Sequence, residues 1–208
     1  KFTRLHFYNA IGMFKKAIEQ DPKLVGAHLT LALVYERAGE VDKASRHYRE
    51  AVRLAPDDAN VLNSYGGYMC RRNDREEGLR SFEKAATTPF YRTPEIAWTN
   101  AGVCARGIPD PVRAEAFFRR ALEENSRYPE ALLQMAALTL GDNRALASRA
   151  FLQRYEAVAP WGPDSLWLAV RVEESLGDRT AARSYARKLR EEFPDSREAR
   201  MLESGGGR

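Results

Sequence analysis

Residues 25–58, VGAHLTLALVYERAGEVDKASRHYREAVRLAPDD, limit the fold more than any other stretch of the chain. They read as two amphipathic helices joined by a turn. The first carries Leu29, Leu31, Ala32, Val34 and Tyr35 on its packing face. Gly39 interrupts the pattern, and the second helix resumes with Ala44, Tyr48, Ala51 and Val52. Pro56 closes the unit, because proline lacks an amide hydrogen and clashes with the turn before it. Small residues (Ala32, Ala44, Ala51) stand where helices must approach closely, and Leu31, Tyr35 and Tyr48 fill the remaining space. A unit of this kind cannot bury its own apolar face, so it has to stack on others like it.

A helix–turn–helix of about 34 residues with this order of small, aromatic, small and proline resembles the tetratricopeptide repeat (TPR). Laid along the chain, the unit recurs. Residues 1–24 read as the second half of a first repeat, with Ala10, Phe14, Ala17 and Pro22 opposite Ala44, Tyr48, Ala51 and Pro56. That end is expected to be frayed, altered or completed by something else. Residues 25–58 are repeat two and 59–94 repeat three, where Gly78 replaces the small Ala44. Its closing loop, residues 87–94, is about two residues longer than a plain repeat needs. Pro89 and Pro94 are expected to hold it extended, with Phe90 and Tyr91 as apolar surface to dock.

Residues 95–128 form repeat four, with Pro109 and Pro111 stiffening its inner turn. Repeat five (129–162) is degenerate but keeps Leu132, Met135, Ala136 and Leu152, and repeat six (163–196) ends in Phe193-Pro194. Residues 197–202 read as a short helix and 205–208 as a flexible tail. The expected fold is therefore all-α: one array of about six repeats over residues 1–196, the first truncated, with residues 197–208 as an extension. The resemblance implies a right-handed superhelix with the leading helices on its concave side.

Composition excludes some functions. The chain has 208 residues, 44% of them apolar, enough to bury a sizeable core. Its 33 basic residues are interleaved with 29 acidic ones for a net charge of +4, which is no nucleic-acid footprint. No apolar run approaches the ~18–20 residues that span a bilayer. Position 1 is lysine and falls inside a repeat, so a targeting segment upstream is compatible with the pattern.

Little here suggests chemistry. His6, His28 and His47 lack metal-ligand spacing and read as packing or surface residues. No nucleophile–base order or glycine-rich phosphate loop is present; Gly66-Gly67 lies inside a helix, where it admits a close neighbour. No enzyme, cofactor or metal is expected. Cys70 and Cys104 are the two cysteines, at positions 12 and 10 of their repeats. Those positions differ by ~200° around a helix and ~3 Å along it, so the thiols of stacked repeats can face each other. Two readings stay open: a disulfide, worth ~3–4 kcal/mol and implying an oxidising compartment, or two buried free thiols.

Positions expected on the concave side give Leu29, Leu33 and Arg37, then Asn60, Asn63 and Arg71, then Thr99, Val103 and Arg106. The leucines form an apolar strip. Asn63 and the arginines can pair with the backbone or a carboxylate of an extended ligand. The alternative is a solvated groove without a specific partner. The lysine–asparagine set of the TPR carboxylate clamp is not matched beyond Asn63.

A closer resemblance rests on longer segments. These are Leu62-Asn63-Ser64-Tyr65-Gly66-Gly67-Tyr68, the Ala85…Pro89-Phe90-Tyr91…Pro94 loop, Asn100-Ala101-Gly102-Val103-Cys104, Pro129-Glu130-Ala131-Leu132-Leu133-Gln134-Met135-Ala136, Ser165-Leu166-Trp167-Leu168 and Phe193-Pro194-Asp195-Ser196. Together they span residues 61–196 and resemble the type IV pilus biogenesis lipoproteins, or pilotins (PilF/PilW). The resemblance implies a six-repeat protein at the periplasmic face of the outer membrane, held by a lipid on an N-terminal cysteine upstream of Lys1; a monomer is expected. It would help the pilus secretin reach that membrane and multimerise, and some family members carry the same cysteine pair. The other reading is a TPR adaptor binding an extended peptide of a different partner.

Overall fold

The computed structural model describes residues 4–108 and 110–204, and all regular structure among them is helical. It gathers into two compact units, Lys1–Pro109 and Asp110–Arg208, whose boundary falls in the inner turn of the fourth repeat.

The first unit holds α1 (Arg4–Gln20), α2 (Val25–Arg37), α3 (Val41–Leu54), α4 (Ala59–Arg71), α5 (Arg75–Ala86) and α6 (Pro94–Ala105). Each packs on the next, and α4 also touches α6. The small-and-large order read in the sequence is what the core uses. Leu31, Ala32, Ala44 and Tyr48 are fully buried, with Ile11, Phe14 and Ile18 of α1 packed against them. Tyr48 stacks on Tyr68 of the next repeat at 4.4 Å between ring centres. The close-approach position recurs as Ala44, Gly78, Ala114, Ser148 and Ala182, all of them buried.

The second unit comprises α7 (Pro111–Glu124), α8 (Pro129–Gly141), α9 (Ala145–Glu156), α10 (Pro163–Ser175), α11 (Arg179–Glu192) and α12 (Arg197–Glu203). Repeat five departs from the pattern with a polar Ser148 in the core, but its hydroxyl donates to the Ala136 carbonyl at 2.7 Å and so is satisfied. The expected short C-terminal helix is α12. Ser196 caps it, and Ala199 packs with Leu166 and Leu189. The expected tail at 205–208 lies outside the described residues.

Four inner turns are built alike. Gly39, Asn73, Asn143 and Gly177 all have φ between +58° and +76°. The amide after each donates to a carbonyl five residues back, for example Glu40 to Tyr35 at 2.9 Å and Arg144 to Thr139 at 2.8 Å. This is the Schellman termination, which needs a residue that tolerates the left-handed region. The loop at 87–94 corrects the sequence reading. It is not held extended: Thr88 to Tyr91 form a tight turn, Pro94 begins α6, and Phe90 is fully exposed instead of docked.

Candidate functional site

The leading helices α2, α4 and α6 of the first unit each carry an apolar or small residue at the same register: Leu33, Gly67 and Val103. Leu33 is 38% exposed and Val103 47%, high values for such side chains. They border a cleft of about 480 Å³ lined further by Asn63, Ser64, Arg71, Arg75 and Asn100. Asn100 Nδ2 donates to Asn63 Oδ1 at 3.0 Å across the α4–α6 interface. That bond uses one group of each amide and leaves the Asn63 NH2 and the Asn100 carbonyl oxygen available to a ligand.

The cleft wall is rigid for identifiable reasons. Cys70 of α4 and Cys104 of α6 form a disulfide, with their Cα atoms 5.7 Å apart. Beneath it α4 and α5 approach through Gly66 and Gly78. A methyl group on Gly66 would sit 3.0 Å from the Gly78 carbonyl oxygen, and one on Gly78 would run into Cys70 Sγ. Gly67 makes room for the Arg71 guanidinium, which would otherwise lie 3.1 Å from an added methyl.

Arg71 is held by its own chain. Its Nε and Nη2 donate to the two oxygens of Glu36 at 2.6 and 3.0 Å, and Tyr48 OH donates to the same carboxylate at 2.8 Å. Burial works against the Glu36 charge, yet the Arg71 and Tyr48 hydrogen bonds hold its carboxyl below the ordinary range. Burial and the carboxylate beside it push the Tyr48 hydroxyl up, so it remains a donor. Arg75 donates to Asn73 and extends along the space that Gly107 leaves open.

Four of the expected groove residues therefore come together: Leu33, Asn63, Arg71 and Val103. Leu29 is half-buried against the core, and Arg37, Asn60 and Arg106 are exposed outside the cleft lining. Thr99 is a correction. It is 2% exposed and its hydroxyl donates back to the Glu95 carbonyl at 2.7 Å, so it presents nothing to a ligand. The next residue, 100° further round the helix, takes the groove face instead, and that is Asn100. The one asparagine in the largely apolar run IAWTNAGVCA was the available signal. Arg75 was missed because it belongs to a trailing helix.

His28 and His47 are not among the cleft-lining residues, and the His6 side chain lies outside the described ones. His28 and His47 meet at 3.1 Å between their Nδ1 atoms, and burial, then His28, lowers the His47 pKa. Among the described residues no group of three or more His, Cys, Asp and Glu is placed to hold a metal. No helix there is long and apolar enough to cross a membrane.

Tetratricopeptide-repeat models match residues 7–65 and 164–196. The type IV pilus assembly protein PilF of Pseudomonas aeruginosa is 28% identical over 184 residues, 88% of this chain and 73% of PilF. The crystal structure of PilW, a widely conserved type IV pilus biogenesis factor, matches with a TM-score of 0.83 at 30% identity, over 94% of this chain and 90% of PilW. This chain belongs to the PilF/PilW family of tetratricopeptide-repeat proteins. The structure of P. aeruginosa PilF agrees, with a TM-score of 0.80 at 27% identity over 97% of this chain and 91% of that one.

Proposed function

We propose that this PilF/PilW relative is a pilotin: its groove takes an extended segment of the type IV pilus secretin and thereby aids the secretin's placement and multimerisation in the outer membrane. The observation that carries the reading is the cleft of the first unit, in a chain of this family. An extended peptide brings unpaired backbone amides and carbonyls. The Asn63–Asn100 pair offers one donor group and one acceptor for them, while Leu33 and Val103 offer apolar seats for side chains. Arg71 acts mainly through Glu36, as part of the wall. The mechanism is binding alone, and a lipid upstream of this segment supplies the address at the periplasmic face of that membrane. The Cys70–Cys104 bond supports such a compartment, since disulfides persist where the surroundings are oxidising.

The test is made in the source organism. The gene for the full-length protein is deleted, and the outer-membrane fraction is run on a denaturing gel that preserves secretin multimers. Loss of the multimer band with monomer retained is expected. Restoring the wild-type gene should return the band, whereas Leu33→Asp with Val103→Asp should not, although the variant folds. Multimers persisting at normal level in the deletion strain would set the secretin aside and leave an adaptor for another extended peptide.

A further inference from the structure

One cation in the cleft lacks a counter-charge. Among the described residues the lining carries two cations, Arg71 and Arg75, with no carboxylate and no lysine. Glu36 neutralises Arg71 through both of its oxygens. The Arg75 side chain makes one bond among the described residues, from Nη1 to the Asn73 side-chain oxygen, which brings no charge. Glu77, two residues on, is taken by Arg80 at 2.7 Å. Arg75 is nevertheless held in place. Asn73 fixes one arm, and the guanidinium lies where Gly107, in the turn after α6, has no side chain; a methyl group there would run into Nε, Cζ and Nη2. The position is unfavourable for a cation. Arg75 is the first residue of α5, where the aligned peptide dipoles present positive charge and acidic side chains are favoured. Its Nε and Nη2 have no hydrogen-bond partner among the described residues, and together they form the fork that fits one carboxylate with two parallel bonds.

We infer that Arg75 is the specificity-determining residue of the groove: it binds an aspartate or glutamate side chain of the extended segment that the cleft takes. The inference rests on the peptide-binding reading of that cleft. A carboxylate there meets the guanidinium and the positive end of α5 together, and supplies the charge that no described residue of the lining provides. A side chain suits this groove better than a chain end does. The Asn63–Asn100 pair takes an amide and a carbonyl from a backbone that continues past it. Asn100 and Gly107 are about two helical turns apart, roughly 10 Å, a distance that about three residues of extended chain span. The ligand should therefore carry an acidic residue about three positions from the one held by the asparagines, with apolar side chains between them for Leu33 and Val103. A phosphate-bearing ligand fits less well, since a doubly charged group would find one uncommitted guanidinium.

The experiment selects random peptides on the purified full-length protein. They are displayed as internal segments of a phage coat protein, so that no free carboxyl terminus is offered. Recovered sequences should share an acidic residue. Synthetic copies, acetylated and amidated at their ends, are then titrated by fluorescence polarisation. Exchanging the acid for its amide (Asp to Asn, or Glu to Gln) should weaken binding to the wild type about ten- to a hundredfold. In Arg75→Gln the acid and amide peptides should bind alike. The same should hold in Gly107→Ala, which keeps the arginine but displaces its flexible end. The exchange on the peptide needs no variant, so it tests the inference even if a substitution upsets the fold. Acid and amide peptides that bind the wild type equally would overturn the inference, as would an undiminished preference for the acid in a folded Arg75→Gln. A peptide that needs the cleft but ignores Arg75 overturns this inference alone. Peptides that still bind the Leu33→Asp, Val103→Asp variant, or recovery of none, overturn the groove reading as well. Whether the natural segment belongs to the secretin is decided by the multimer assay.

Discussion

Glu36 joins two repeats through one carboxylate: it lies on α2, accepts from Tyr48 on α3, and takes both arms of Arg71 from α4. Its pKa lies below the ordinary value of 4.5 in the folded protein. A carboxyl lowered by folding adds stability above its unfolded pKa and loses that contribution as pH falls through the folded one. Stability should therefore decline as the medium is acidified below pH 4.5, and Glu36→Gln should flatten that part of the profile. At neutral pH the substitution should cost about 1 kcal/mol, because Arg71 is more than half exposed and water screens the pair. Urea unfolding on both sides of pH 4.5 measures both effects, and an unaltered acid profile in the variant would remove Glu36 from the account. The sequence told only part of this. Arg71 was legible as a groove residue from its register, but its partner lies 35 residues earlier and no local pattern announces it. Thr99 and Asn100 show the same limit, since one step along a helix moves a side chain by 100° and decides core against cleft.

At the scale of elements, helices were the most legible part of the chain, and turns the least. The repeat starts read at residues 25, 59, 129 and 163 coincide with the first residues of α2, α4, α8 and α10, because burial in a stack demands that period. The turn at 87–94 was misjudged because prolines can hold a segment extended or set up a tight turn, and hydrogen bonds decide which. The inner turns followed a rule that only half shows in sequence. Gly39 and Gly177 advertise a left-handed residue, whereas Asn73 and Asn143 do the same task less visibly. This gives a prediction. Asn143→Ala keeps a β-carbon at φ +58° but removes the short polar side chain that makes this region tolerable, and should destabilise the second unit by about 1 kcal/mol, whereas Asn143→Gly removes the β-carbon and should be neutral or slightly stabilising. Thermal melts of the two variants separate strain from loss of the side chain; equal destabilisation by both would indicate that the amide group mattered and the backbone did not.

Across the whole chain, the disulfide sets how stability is shared. Cys70 and Cys104 are 34 residues apart and close a loop that contains all of α5. In the chain-entropy model a loop of that length contributes about 3–4 kcal/mol by restricting the unfolded chain. A repeat stack transmits support only between neighbours, so this contribution stays close to where the bond is made. Reduction, or Cys70→Ser with Cys104→Ser, should raise hydrogen exchange in α4, α5 and α6 while α9, α10 and α11 of the other unit keep their protection. Exchange measured by mass spectrometry on oxidised and reduced protein reads this helix by helix. Equal loss across both units would mean that the chain unfolds as one block. The expected local loss would instead loosen the α4–α6 wall that holds Asn63 against Asn100, so a reduced protein should lose the cleft before it loses the fold.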